Sequence, residues 1–236
     1  MQDLIGAVAG LSPKERKALA VLLKQKGINL FSVAPIFKRQ AEEPVLLSYA
    51  QERQWFLWQL DPDSAAYHMS MALRLQGSLD VAALERSLTT LVARHETLRT
   101  TFSDEAEQQL QVIAPPSAFS IAHQTLTPPA DCSAAAIKAL VQAQTRQLFD
   151  LRQGPLLRVT LVKLGEDEHV LILTQHHIVS DGWSLQILLK ELIQLYQGYT
   201  ECREVTLPAL PVQYADYALW QRQWMESGER ERQLGY

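Results

Sequence analysis

Cysteine is nearly absent: the 236 residues contain two, Cys132 and Cys202. They are far apart and in no metal-ligand spacing, which argues against a disulfide framework or a thiolate zinc site and fits two reduced thiols. Long apolar runs are also missing. None approaches the ~20 residues that a membrane span needs. The N-terminus has no basic stretch before its apolar one and no signal-peptide cleavage pattern. Positive charge is not in excess: 22 Lys and Arg stand against 26 Asp and Glu, for a net charge of −4. No global basic field exists to attract nucleic acid or an anionic membrane. Internal repeats and low-complexity tracts are absent. These absences predict a soluble, cytoplasmic protein.

What is present is ordinary globular material, 47% hydrophobic and 20% charged. At about 100–200 residues per domain, the length allows one large domain or one domain with a small extension. Residues 1–40 read as a helical leader and linker. Ser12, Pro13 and Glu15 form a helix-start signature, and Gly27 is a natural stop. The main domain is expected over 41–236. It opens with an aromatic-rich helix over 48–60. Met69, Met71, Leu73 and Leu75 alternate as on a half-buried strand. Asp80 caps a helix bearing Leu84, Leu88, Leu91 and Val92. Short strands follow near 99–103 and 108–113. The proline-marked segment 114–132 (Pro115, Pro116, Pro128, Pro129) reads as loop with an edge strand. A helix over 133–148 and apolar strands over 156–164 and 168–175 come next. A long helix runs from about Ser184 to Gln197. A last helix from about Val212 reads to the final residue without a stop signal. This order predicts an α/β sandwich of sheet and covering helices.

The segment from Thr174 to Ser184 carries the chemistry. It follows a buried-looking strand and precedes a helix. Neighbouring residues of a strand point to opposite faces, so one of His176 and His177 can line a cleft while the other packs inward. Gly182 permits a backbone turn that bulkier residues resist. Asp181 can cap the next helix or hold an arginine. A structural reading, two histidines at a strand end with a capping aspartate, is equally open on these residues alone. A zinc site is disfavoured, because adjacent strand histidines cannot direct both rings at one metal. Trp55, Phe56 and Trp220 are expected in the core. His95 reads as a structural histidine and Glu96 as a network residue.

Four ordered motifs then agree. His176-His177-x-x-x-Asp181-Gly182 resembles the HHxxxDG signature of nonribosomal peptide synthetase condensation domains, members of the chloramphenicol-acetyltransferase-like superfamily. Residues 48–57 resemble that family's S-x-A-Q-x-R-x-W-x-L motif. Residues 94–102 resemble R-H-E-x-L-R-T-x-F, and residues 214–220 resemble Y-x-D-F/Y-A-x-W. Phe149-Asp150-Leu151 and the Gly154–Arg158 stretch also look like the family's.

The resemblance implies a chloramphenicol-acetyltransferase-like sandwich, the N-terminal lobe of a two-lobed condensation domain, truncated before its C-terminal lobe. It implies amide formation between a donor acyl or peptidyl thioester and an aminoacyl acceptor. Both would be delivered on phosphopantetheine arms of carrier domains, with no cofactor or metal held by this chain. His177 matches the family's active histidine, as general base or as positioning group. Gly182 matches the motif glycine, whose N–H could approach a developing oxyanion. His176 would support the loop. Either Arg94 or Arg99 would pair with Asp181, and the family pattern favours Arg94. Ser180 and Ser184 are not expected to react, one of them serving as a helix cap. The implied partners are donor and acceptor carrier domains, the C-terminal lobe and an adjoining adenylation domain. The sequence context around Asp181 looks like the type joining an L-donor to an L-acceptor. The isolated lobe is expected to be inactive. Two other readings are an acyltransferase using an acyl-CoA donor and a non-catalytic docking module.

Overall fold

The computed structural model describes residues 8, 10–32, 34–40, 43–104, 108–126 and 133–235. Cys132, Pro128, Pro129 and residues 1–7, 9 and 33 of the expected leader and linker lie outside the described residues. The helices are α1 (Pro13–Gln25), α2 (Tyr49–Leu60), α3 (Val81–Arg94), α4 (Ala134–Arg146), α5 (Gly182–Thr200), α6 (Tyr214–Trp224) and α7 (Arg230–Leu234). The strands are β1 (His68–Gln76), β2 (Thr100–Ser103), β3 (Leu110–Ile113), β4 (Ala122–Thr125), β5 (Leu157–Lys163) and β6 (Glu168–His176).

Four strands form one sheet in the order β1-β6-β5-β4. β4 runs parallel to β5, and the other pairs are antiparallel. Strands β2 and β3 form a separate antiparallel pair. The run Val170-Leu171-Ile172-Leu173 explains the central place of β6, because a strand covered on both faces needs continuous apolar residues. Leu171 and Leu173 pack with Leu84, Leu88 and Leu91 of α3 and Leu188, Leu192 and Leu195 of α5. Val170 and Ile172 face the other way, toward Ile137, Leu140 and Val141 of α4. Each fully buried Leu or Ile contributes about 1.5–3 kcal/mol. The result is a layered α/β sandwich, and it places the end of β6 and the start of α5 side by side.

The leader is tied to the far end of the chain. Ser12 and Glu15 form the expected reciprocal cap of α1, and Gly27 turns the chain with φ +72°. Ala20, Leu30 and Phe31 are buried against Trp220 and Trp224. The Trp220 Nε1–H donates to Phe31 O at 3.1 Å. Farther along, Arg39 pairs with Glu96 at 2.8 Å and with Asp216 at 3.1 Å. The stretch expected as a linker therefore bridges two motif segments.

Two expectations fail here. Trp55 is fully buried, but Phe56 is 56% exposed. Successive helical residues are rotated by about 100° at 3.6 residues per turn, so the face that buries Trp55 turns Phe56 outward. The last helix also does not run to the end. α6 stops at Trp224, and Ser227 and Gly228 leave helical geometry, Gly228 at φ +115°.

Candidate active site

The end of strand β6 sends His176 and the following His177 to opposite sides. His176 is 2% exposed, near the rings of His68 and Phe149. Burial foremost, then repulsion from His68 and His177, lowers its pKa to about 3. Its ring is therefore neutral, and Nδ1 accepts the Ile178 N–H at 3.1 Å. His177 is the first residue beyond the strand and is exposed. Its backbone N–H donates to Tyr67 O at 2.8 Å.

The His177 ring is oriented by the turn that follows. Nδ1 lies 2.8 Å from Ser180 O. A carbonyl can only accept, so Nδ1 must carry the proton. With the proton on Nδ1, the neutral form of the ring carries its lone pair on Nε2. Such a tautomer lock is what a proton acceptor at a reacting centre requires.

His177 lines a cleft of about 420 Å³ together with Gln54, His95, Gln175, Asp181 and Tyr214. One side is the start of α5. Asp181 is its N-cap and accepts from the Ser184 N–H at 2.7 Å, while Ser184 Oγ accepts the Asp181 N–H at 2.8 Å. Such a cap is worth about 1 kcal/mol, and a carboxylate also suits the positive end of a helix. The Ser184 N–H, then the Ser184 hydroxyl, hold the Asp181 pKa below the usual carboxylate range. The other side is α2 and the segment before α6. Gln54 Nε2 donates to His177 O at 3.3 Å, and Gln51 Nε2 lies 3.5 Å from Ile178 O. Ser48, the α2 cap, meets Tyr214 with 2.9 Å between the hydroxyl oxygens. Gln213 accepts the Glu96 N–H at 3.2 Å and donates to Arg94 O at 3.0 Å. The four motif segments thus meet around one cleft.

The expected pairing of Asp181 with an arginine is corrected. Among the described residues, neither Arg94 nor Arg99 is paired with it. Asp181 is exposed and capped, so no buried charge demands a cation there. Arg94, at the end of α3, instead places Nε 3.2 Å from both carboxylate oxygens of Glu191 on α5. His95 Nε2 lies 2.6 Å from the same carboxylate. Arg94 thereby acts on α5 ten residues past its cap. Arg99 contacts Ala114 O and lies 3.8 Å from Glu96. Gly182 also differs from expectation. Its φ is not positive, and a Cβ built there meets nothing within 4 Å. The chain's own backbone does not demand glycine at this position.

A family profile described as "Condensation domain" matches residues 41–236. The chain belongs to the condensation-domain family. Malpibaldin synthetase of Mortierella alpina is 44% identical over 195 residues, 82% of this chain and 4% of that protein. The X-domain from teicoplanin biosynthesis, solved alone and in complex with OxyB, is 34% identical with a TM-score of 0.74. That match covers 84% of this chain and 42% of the solved one. The starter condensation domain of rhizomide synthetase is 26% identical with a TM-score of 0.73, over 81% of this chain and 46% of that one. The chain thus spans under half of these solved condensation-family chains, and shares their chloramphenicol-acetyltransferase-like α/β fold. Among the described residues no cluster of ligating side chains could hold a metal ion, and no helix is long and apolar enough to cross a membrane.

Sequence reasoning missed Gln54, Gln175, Glu191 and Gln213. Gln175 did carry a signal: it is an amide at the end of an apolar strand, two residues before His177.

Proposed function

We propose that this chain is the N-terminal lobe of an enzyme domain that joins a carrier-bound acyl or peptidyl thioester to a carrier-bound aminoacyl thioester, of the L-donor, L-acceptor type. The acceptor's amino nitrogen attacks the donor thioester carbonyl. The C–N bond forms, the C–S bond breaks, and the amine proton passes by way of His177 Nε2 to the departing thiolate. Amide and free thiol are the products. The observation that carries this reading is the His177 tautomer: Nδ1–H is committed to Ser180 O, which aims the basic nitrogen away from the loop. His176, neutral and buried, holds the turn, and Asp181 and Arg94 fix α5. Gly182 N–H, at the first turn of α5, is the proposed contact for the developing oxyanion. Holding both substrates in line can itself lower such a barrier by about 7–11 kcal/mol.

No cofactor is assigned to this chain, since the substrates arrive on phosphopantetheine arms. Its partners are the donor and acceptor carrier domains, the C-terminal lobe and an adjoining adenylation domain, in the cytoplasm. The isolated lobe is inactive, because half of the substrate channel belongs to the other lobe. The test is amide formation by the complete two-lobed domain between two loaded carrier domains, comparing wild type with His177→Ala. A loss of about 10²–10⁴ in a folded variant is expected. Unchanged product would refute the assignment of His177. It would favour a docking module, a reading prompted by the likeness to an X-domain solved in complex with OxyB.

A further inference from the structure

Strand β6 places a second polar group beside His177. Side chains two residues apart on a strand share a face. Gln175 therefore lies on the same side of the sheet as Leu171 and Leu173, at the floor of the His177 cleft. It is 1% exposed, and among the described residues neither Oε1 nor Nε2 has a hydrogen-bond partner. Gln54 lines the same cleft at 7% exposure. Its Nε2 is engaged with His177 O, and its Oε1 has no partner among the described residues. Buried amide groups are almost always paired, and an unpaired one destabilises the fold. Here three unpaired atoms, two acceptors and one donor, converge beside the histidine that faces the reacting centre.

The complement of the Gln175 amide is an aminoacyl group, whose amine N–H can donate to Oε1 and whose carbonyl can accept from Nε2. We propose that Gln175 positions the acceptor substrate, its Oε1 accepting an N–H of the attacking amine and its Nε2 donating to the acceptor's own thioester carbonyl. The terminal torsion of glutamine is soft and roughly two-fold, so a small rotation presents the amide edge to the cleft. The amine's other N–H then lies toward His177 Nε2, and its lone pair toward the donor carbonyl. Gln54 Oε1 stands by as a second acceptor and ties the amine's place to the loop bearing His177. The inference rests on the amide-forming reading above and adds selection for a primary amine over a hydroxyl or an N-methylated amine.

The test uses the complete two-lobed domain with a loaded donor carrier and soluble acceptor thioesters: an aminoacyl thioester, its N-methyl form and its α-hydroxy counterpart. Wild type should prefer the primary amine. Gln175→Met, close in shape and apolar, should lower kcat/KM for the primary amine by about 10- to 100-fold and erase the preference, each tenfold being about 1.4 kcal/mol. The same variant should raise the melting temperature, because it removes two unsatisfied buried atoms. Gln175→Glu, which keeps an acceptor and loses the donor, should recover part of the rate. Activity retained in Gln175→Met, or a loss equal for all three acceptors accompanied by a lower melting temperature, overturns the proposal and makes Gln175 a packing residue. Absence of amide product from wild type with loaded carriers would instead overturn the amide-forming reading itself.

Discussion

Lowering the pH from 7 to 5 should destabilise the chain by about 2 kcal/mol, chiefly through His176. Its ring is 2% exposed, and burial, with repulsion from His68 and His177, keeps its pKa at about 3. In the unfolded chain an imidazole titrates near ~6.5. As the pH falls below that value, the unfolded state takes up a proton that the folded state refuses. The unfolded state binds more protons throughout the window between about 3 and 6.5, so stability rises with pH there and is complete above it. At pH 5, about 1.5 pH units into the window, roughly 1.4 kcal/mol per unit gives a loss near ~2 kcal/mol. His68, whose pKa burial also lowers, adds to the effect with the same sign. Asp181 and Glu229 have lowered values too, but carboxylates lose such stabilisation only at lower pH, as they protonate. The assay is urea unfolding followed by tryptophan fluorescence at pH 7, 6 and 5. His176→Asn is the control, because Oδ1 can replace Nδ1 as acceptor for the Ile178 N–H without titrating. An unfolding midpoint that does not fall between pH 7 and 5, or a slope as steep in His176→Asn as in the wild type, would refute the account of a neutral buried imidazole; His68 leaves a smaller residual slope in the variant.

Two further outcomes follow from the contacts. Glu191→Leu should destabilise by about 3–5 kcal/mol, since it strips the carboxylate from the half-buried Arg94 and His95. Glu191→Gln should cost less, and chemical unfolding of both variants checks the order. Gly182→Ala should leave stability unchanged or raise it by up to ~1 kcal/mol, because φ is not positive and the Cβ position is open. Thermal melting reads that effect. A loss of amide formation in the same variant of the complete domain would place substrate against that face, and no loss would remove Gly182 from the reacting centre.

The sheet and its covering helices were legible because their patterns are local. The alternation over β1, the apolar run in β6 and the caps at Ser12 and Asp80 each announce an element within a few residues. The His176/His177 division was legible for the same reason, since strand geometry alone turns neighbours to opposite faces. Partner choice was not legible. Arg94 and Glu191 are 97 residues apart, and only the packing of α3 on α5 brings them together. Asp181 had two open options, a cap or an arginine, and its exposure to solvent decided for the cap. Phe56 shares composition with Trp55 but not its side of the helix. The glutamines escaped notice because an uncharged amide shows its role only when its surroundings reveal which of its atoms are paired.

Anyone moving this lobe into another protein must choose a seam, and Arg39 makes the obvious choice a poor one. The family match begins at residue 41, so a cut there looks clean on paper. It would discard the guanidinium and the backbone N–H that both reach Asp216 Oδ1 at 3.0–3.1 Å. Asp216 would keep its charge at 3% side-chain exposure, inside the motif helix that carries Tyr214. A transplant should start upstream of Leu30, so that the graft brings its own counter-ion and the hydrophobic plug beneath Trp220.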